Sequence, residues 1–316
     1  MDEKTPATPS TPSTLELQEG VIGLTEVDPS PVDETPPEAP KDGYFPSSPS
    51  PPHGHTRTST LGLGNRGPAY YLLRIQRYSS YTFTLFASLH ISNTSLLPLL
   101  THSIPASNPY LLLTRPYYQS VLTEPLLVAL PLVAHIGSGI ALRLYRRHQT
   151  LYHYGAETRH DRKNIPWPAF SGTSALGYAL IPLLGFHTLT TRLMPLYLHG
   201  DSALINLSYI SHAFALHPFT SFTGFAALVG IGVWHFAWGW AKWLKLAPSQ
   251  VGIAGLEGQL RRKRRWYVVN GIAALLSGLW LAGSLTVVGR AGRTKGWVGR
   301  EYDELLKHVP VLGRWT

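Results

Sequence analysis

The 316-residue sequence contains no cysteine, and this absence excludes several kinds of site. Disulfide bonds, thiolate zinc sites, iron–sulfur clusters and covalently attached c-type haem all require cysteine. Charged residues are also scarce, at 14% of the chain against about 25% in an ordinary globular protein. Histidine remains as a strong metal ligand, and the sequence has 14 histidines.

The few charges are separated along the chain. Residues 1–56 hold 2 of the 27 Lys and Arg, 10 of the 18 Asp and Glu and 12 of the 26 Pro, so their net charge is −8 and that of the remainder is +17. An acidic, Pro-rich segment with few aromatics buries too little apolar surface to fold. We predict a disordered cytosolic tail over 1–68, a transmembrane domain over 69–290 and a C-terminal tail over 291–316.

Long uncharged runs predict that the body of the chain lies in a membrane. A helix needs about 20 mainly apolar residues to cross a bilayer. A buried soluble core is the alternative, but the amphipathic helices that would cover it are not apparent. The fold class is therefore an all-α polytopic membrane bundle with five transmembrane helices. We place them at about 70–93, 119–146, 169–194, 221–245 and 265–289.

Basic residues predict the orientation. They cluster before the first predicted helix, after the second and between the fourth and fifth, where the run RRKRR occupies 261–265. Cytoplasmic loops are enriched in Lys and Arg, so the N-terminal tail is expected in the cytosol. The basic charge thus reports topology and gives no reason to expect a nucleic acid partner. The C-terminal segment is basic too, although five helices put it on the opposite side. Either the rule is relaxed here or the fifth helix is not a simple span.

The membrane part contains an internal repeat. A shift of 97 residues aligns the first and third predicted helices, and a shift of 100 aligns the second and fourth. The aligned pairs include Tyr81 with Tyr178, His90 with His187, Pro98 with Pro195, Thr123 with Thr223, His135 with His235 and Gly139 with Gly239. Matches in fixed registers indicate a tandem duplication of a two-helix unit, with the fifth helix left over.

Each repeated helix carries one histidine at an equivalent position: His90, His135, His187 and His235. Ionisable residues within spans are rare and usually functional. His135 and His235 both lie about 10–12 Å below the cytosolic interface at 1.5 Å per helical residue. We therefore expect them to meet and to hold a haem b between two imidazoles, with His90 and His187 as further cofactor-binding candidates. Two alternatives stay open: interhelical hydrogen bonds worth about 0.6 kcal/mol each, or a polar groove for lipid headgroups.

The tail carries a candidate partner site. Pro29-Ser30-Pro31 follows the alternating apolar residues of VIGLTEVD, a pattern suited to adding a β-strand to a partner's sheet while the prolines dock in an aromatic groove. The second such core, at residues 49–51, has no apolar anchors, and a simple spacer is the alternative for both. The predicted contacts are Leu24, Val27, Pro29, Pro31 and Val32.

The tail motif, the duplicated unit and the five spans together resemble the fungal Mcp proteins, which are mitochondrial outer-membrane proteins named for complementing loss of an Mdm-type morphology protein. The resemblance implies an adaptor that uses Pro29 and Pro31 to recruit the bridge-like lipid-transfer protein of the vacuolar protein sorting class, number thirteen. It also implies a role in lipid homeostasis, with scrambling of delivered phospholipids between leaflets.

The histidine-bearing helices also resemble the cytochrome b membrane anchors of succinate dehydrogenase, with His135 and His235 in the position of axial ligands. That resemblance implies a haem b protein with a redox or haem-handling role. No Ser–His–Asp set, phosphate-binding loop or paired carboxylates are apparent, so an active site of the soluble-enzyme type is not expected. The adaptor and haem functions are compatible, and both stay open.

Overall fold

The structure is a computed structural model that describes residues 67–310 and residue 312. All regular secondary structure in this part of the chain is helical, which confirms the all-α fold class. The predicted partner site at residues 24–32 lies outside the described residues, so it stays a prediction.

The first repeat unit pairs two long helices. Helix α1 (Pro68–Ile91) continues through a π-helical segment, Ser92–Leu96, into α2 (Leu97–Thr101). The connecting helix α3 (Ile104–Gln119) leads to a second π-helical segment and α4 (Leu130–His153). Helices α1 and α4 pack against each other along their lengths.

The second unit repeats this arrangement, and its two long helices, α6 (Gly172–Thr188) and α9 (Pro218–Trp243), also pack together. The fifth long helix, α10 (Gly255–Leu281), packs on α9 and continues through a π-helical segment, Ala282–Val288, towards the last helix. The elements after α4 are α5 (Arg159–Asn164), α6 (Gly172–Thr188), α7 (Met194–His199), α8 (Leu207–Leu216), α9 (Pro218–Trp243), α10 (Gly255–Leu281) and α11 (Gly296–Lys307).

The duplication extends to backbone irregularities. A π-helical segment follows α1 at Ser92–Leu96, and another follows α6 at Leu189–Leu193, 97 residues later. In each unit a threonine hydroxyl donates a 2.7 Å hydrogen bond to the carbonyl of the preceding histidine, Thr94 to His90 and Thr191 to His187. The two units are therefore built alike in detail as well as in outline.

Four helical segments in the described residues are long and apolar enough to cross a membrane: Pro68–Thr101, Pro125–His153, Pro218–Gln250 and Gly255–Val288. The third predicted span is absent from this set. Its helix α6 has only 17 residues and gains length through Leu189–Leu193 and α7. It nevertheless runs beside α9 as α1 runs beside α4, so the predicted count of five is approximate.

Several predicted boundaries differ from the observed ones, and two of the differences have a clear structural reason. The second span begins at Pro125 instead of about 119, because residues 120–122 form a turn. The fifth helix begins at Gly255 instead of about 265, because the basic run lies inside it. Arg262 and Arg265 donate to loop carbonyls before the helix, the latter to Lys245 at 3.1 Å. A basic run therefore indicates where a helix leaves the membrane, while the helix itself can continue beyond that point.

Helices α3, α8 and α11 pack together at the end of the bundle opposite the basic loops. The apolar face of the C-terminal segment contacts α8 there. Tyr302, Leu305 and Leu306 are each 1% exposed and pack with Tyr209. Since α3 and α8 lie on the connections between the paired helices, α11 lies on their side, and α10 crosses from one side to the other.

Candidate functional site

The first histidine pair lies towards the basic end of the bundle. His135 on α4 and His235 on α9 have ring centroids 6.0 Å apart and ring planes at 85°. The Nδ1 of His135 donates to the carbonyl of Gln76 at 3.0 Å, and the Nδ1 of His235 donates to the carbonyl of Thr173 at 2.9 Å. Gln76 and Thr173 are 97 residues apart, so the repeat positions both rings in the same way.

These hydrogen bonds determine which nitrogen of each ring carries the proton. A carbonyl oxygen only accepts, so Nδ1 must be protonated, and the Nε2 of a neutral imidazole then carries a lone pair. No donor among the described residues reaches the Nε2 of His135 or His235. Histidines that bind metals have this arrangement, with one nitrogen on a backbone carbonyl and the other free for the metal.

Two glycines make close contacts at the first histidine pair, one with a histidine ring and one with Gln76. A Cβ at Gly177 on α6 would lie 2.8 Å from the Cε1 of His235, so the ring occupies the space that a side chain would take. A Cβ at Gly139 would lie 2.9 Å from the side-chain nitrogen of Gln76, whereas Gly239 faces open space.

The second histidine pair lies deeper. His90 on α1 and His187 on α6 have ring centroids 5.9 Å apart and ring planes at 73°. Phe86 stacks on His90 at 5.5 Å, and Tyr118 contacts Phe86 edge-on at 5.2 Å. Along α1, 14 residues separate Gln76 from His90, which at 1.5 Å each places the pairs about 21 Å apart.

All four histidines therefore lie between the two repeat units, in what we call the seam. Extensive helix packing in the described residues occurs within each unit, and the units meet mainly through side chains. Near the basic end Tyr81 on α1 stacks on Trp240 on α9, with centroids 4.9 Å apart and planes at 22°. The seam thus contains two histidine pairs together with aromatic side chains from both units.

At the other end of the bundle, Arg115 and Arg192 hold the units together. Arg192 donates to Glu124 through two nitrogens and to the Ser202 hydroxyl at 2.6 Å. Arg115 donates to the Ser202 carbonyl at 3.1 Å, and burial lowers the pKa of its guanidinium. Both arginines line an open cleft of about 410 Å³.

Sequence reasoning missed a buried polar cluster around His212 on α8, which is 1% exposed. Its Nε2 donates to the Asp303 carboxylate at 2.9 Å, and its Nδ1 accepts from the Thr294 amide at 3.1 Å. His212 lies 91 residues from Asp303 and outside the repeat, so no spacing rule connects them. The cluster fixes α11 on α8.

The donor set limits the kind of metal site. No group of three or more His, Asp or Glu in the described residues is arranged to hold a metal ion. A structural zinc ion needs about four protein ligands, whereas haem iron takes only axial ligands from the protein. Two imidazoles on one metal place their nitrogens about 4 Å apart, at about 2.0–2.1 Å each. Ring centroids at 6.0 Å are compatible with that separation, so His135 and His235 fit haem b.

Residues 182–293 of the chain match a family model, the transmembrane domain of MDM10-complementing protein 1. This match confirms the predicted Mcp resemblance, and its range contains His187 and His235. It supports a mitochondrial membrane protein, and the apolar helices confirm that the chain is multi-pass. No curated protein and no solved structure matches the chain. The resemblance to the succinate dehydrogenase anchors stays a prediction.

Proposed function

We propose that this chain, which carries the transmembrane domain of the Mcp family, is a mitochondrial outer-membrane adaptor in lipid homeostasis. Its tail recruits a bridge-like lipid-transfer protein of the vacuolar protein sorting class, and its bundle moves delivered phospholipids between leaflets. The family match is the observation that carries this proposal. The basic loops on one side of the bundle support a cytosolic tail, where such a partner is accessible.

The tail is the recruiting element because Pro29 and Pro31 adjoin the apolar residues Leu24, Val27 and Val32. Pull-down of the lipid-transfer partner with the full chain tests this role. Binding is expected to be lost when Pro29 and Pro31 are both replaced by alanine. The matched control replaces Pro49 and Pro51, which have the same spacing without apolar neighbours. Equal binding by both double variants would refute the choice of motif.

The seam is the route that we propose for phospholipid headgroups. Its two histidine pairs lie about 21 Å apart, in a hydrocarbon layer about 30 Å thick. Polar groups along this distance reduce the cost of moving a headgroup through apolar surroundings. Each leaflet would be entered where α1 and α4 face α6 and α9.

A fluorescent-lipid assay in liposomes tests this route. Scrambling faster than in empty vesicles is expected from the wild type, and a slower rate when His90 and His187 are both replaced by leucine. The control is His148→Leu, which adds a leucine at an exposed position on α4 outside the seam. Wild-type rates equal to those of empty vesicles would remove the scrambling step.

Haem b binding is the second candidate function, and the hydrogen bonding of the first histidine pair favours it. His135 and His235 each anchor Nδ1 on a backbone carbonyl and present an unbonded Nε2. Haem b bound between them would add one-electron redox chemistry. Gln76 on α1 and Thr173 on α6 orient the two rings through these hydrogen bonds, as backbone carbonyls orient histidines that bind metals.

An absorption spectrum of the purified full chain tests haem binding. A Soret band is expected in the wild type and in His148→Ala, and its loss or marked reduction in His135→Ala. Haem binding through this pair is excluded if the wild type shows no Soret band, or if His135→Ala leaves the band unchanged in position and intensity.

A further inference from the structure

The second histidine pair is not explained by helix packing alone. His90 and His187 come from different repeat units, and neither ring nitrogen has a hydrogen bond to another described residue. An ionisable side chain inside a membrane is costly unless it has a partner, because no water is there to solvate it. Two such rings 5.9 Å apart, each without a donor or acceptor, indicate a missing ligand between them.

The backbone beside this pair is irregular in the same way twice. The π-helical segments begin at Ser92 and Leu189, two residues after His90 and His187. Such segments are rare within helices and occur frequently at functional sites. In each of these segments a threonine hydroxyl donates a 2.7 Å hydrogen bond to the carbonyl of the preceding histidine. The irregularity and the ring pair are independent observations at one place.

The surroundings suit a flat, apolar and anionic ligand. Phe86 stacks on His90 and offers an aromatic wall. Arg115 lies close enough to His90 to interact electrostatically with it. Lys242 bears the same relation to His235 at the first pair. Each pair thus has a cation nearby, and haem b carries carboxylates that such cations bind.

We propose that His90 and His187 hold a second haem b. The chain then binds two haems at different depths, one on each histidine pair, about 21 Å apart along the bundle. This inference rests on the haem function proposed above and adds a second, separate site to it. His90 and His187, which occupy equivalent positions in the two repeat units, supply the two imidazoles for it.

The haem content of the purified full chain, measured as pyridine haemochrome per protein, tests the proposal. Two haems per chain are expected in the wild type and in His148→Ala. One is expected in His90→Ala and one in His135→Ala. The haem retained in each single variant shows that the chain has folded. His90→Met is expected to keep the second haem with a changed spectrum, because a thioether can also ligate haem iron.

The outcomes separate the two proposals. A wild-type ratio of one that His90→Ala leaves unchanged and His135→Ala abolishes overturns the second site and supports the first. A wild type without haem overturns both. Loss of all haem in both His90→Ala and His90→Met shows that the sites are not separate, which also overturns the proposal.

Discussion

Gly177→Ala tests the position of the His235 ring, on which the geometry of the first pair depends. A Cβ at Gly177 would lie 2.8 Å from Cε1 and 3.1 Å from Nδ1 of His235. Ordinary contacts of a Cβ are about 3.4–4 Å, so the ring must move by roughly 0.5–1 Å. That movement lengthens the 2.9 Å hydrogen bond from Nδ1 to the Thr173 carbonyl.

The magnitude follows from three contributions. Overpacking costs about 1–3 kcal/mol, and the weakened hydrogen bond costs a further 0.5–1.5 kcal/mol, roughly. Replacing a helical glycine with alanine returns about 1 kcal/mol. Gly177→Ala should therefore be destabilised by about 0.5–3.5 kcal/mol. Gly185→Ala is the matched control on the same helix, because a Cβ there meets nothing within 4 Å and gains only the helix propensity.

Thermal unfolding of the two variants in detergent measures the difference. Gly177→Ala is expected to melt below the wild type, and Gly185→Ala at or above it. If haem is bound, Gly177→Ala should also lose Soret intensity, because the displaced ring presents its Nε2 less well. Equal melting temperatures for the two variants would refute the ring position and with it the first histidine site.

Three further predictions concern packing and charge outside that pair. Gly283→Ala should destabilise the bundle more than Gly177→Ala, because its Cβ would collide with the backbone carbonyl oxygen of Ser95, which cannot rotate away as a side chain can; thermal unfolding measures this. A double-mutant cycle on Arg192→Met and Glu124→Gln should give a coupling of about 0.5–3 kcal/mol; additive effects would contradict the ion pair. Hydrogen bonds at the start of α5 lower the pKa of Asp161, so its capping is present above the ordinary value of 3.8 and lost as pH falls through the lower folded value. An NMR titration midpoint above 3.8 would contradict this.

The duplication explains why part of the site was predictable from sequence. Once His135 aligns with His235 in equivalent units, the two positions lie at the same depth, and they meet because each faces the other unit. The same reasoning holds for His90 and His187. Periodic registers carry this information because each unit folds in the same way. The hydrogen bonds that His135 and His235 donate to the carbonyls of Gln76 and Thr173 could not be predicted, because the side-chain pattern does not indicate which backbone carbonyls accept them.

The end of the bundle formed by α3, α8 and α11 was not predicted as a unit. Pro109 and Pro116 argue against a helix, yet both lie inside α3. A proline removes one hydrogen bond and clashes with the preceding turn, but α3 gains a cap from Ser103 and buries Leu111 at 6% exposure. Tertiary contacts thus override local propensity here, and such contacts join residues about a hundred positions apart.

The basic C-terminal segment, which conflicted with the predicted topology, has a physical explanation in this packing. Tyr302 donates to the Leu204 carbonyl at 3.1 Å, and His212 donates to Asp303. The segment is fixed by contacts to α8 and its preceding loop, whose side of the membrane is set by α6 and α9. Lys and Arg bias the choice of side by modest energies. Burial of Tyr302, Leu305 and Leu306 against α8 opposes that bias.

The two proposed functions make opposite demands on the seam, and this allows each to be tested through the other. A headgroup passing between the units must approach His135 and His235, the same rings whose Nε2 atoms a haem iron would occupy. A haem in place therefore blocks the route at one depth, since its ring fills the space between the units. If both functions belong to this chain, haem-free protein should scramble lipids faster than haem-loaded protein at equal reconstitution. Equal rates would mean that headgroups cross elsewhere, and the seam would then be a cofactor site alone.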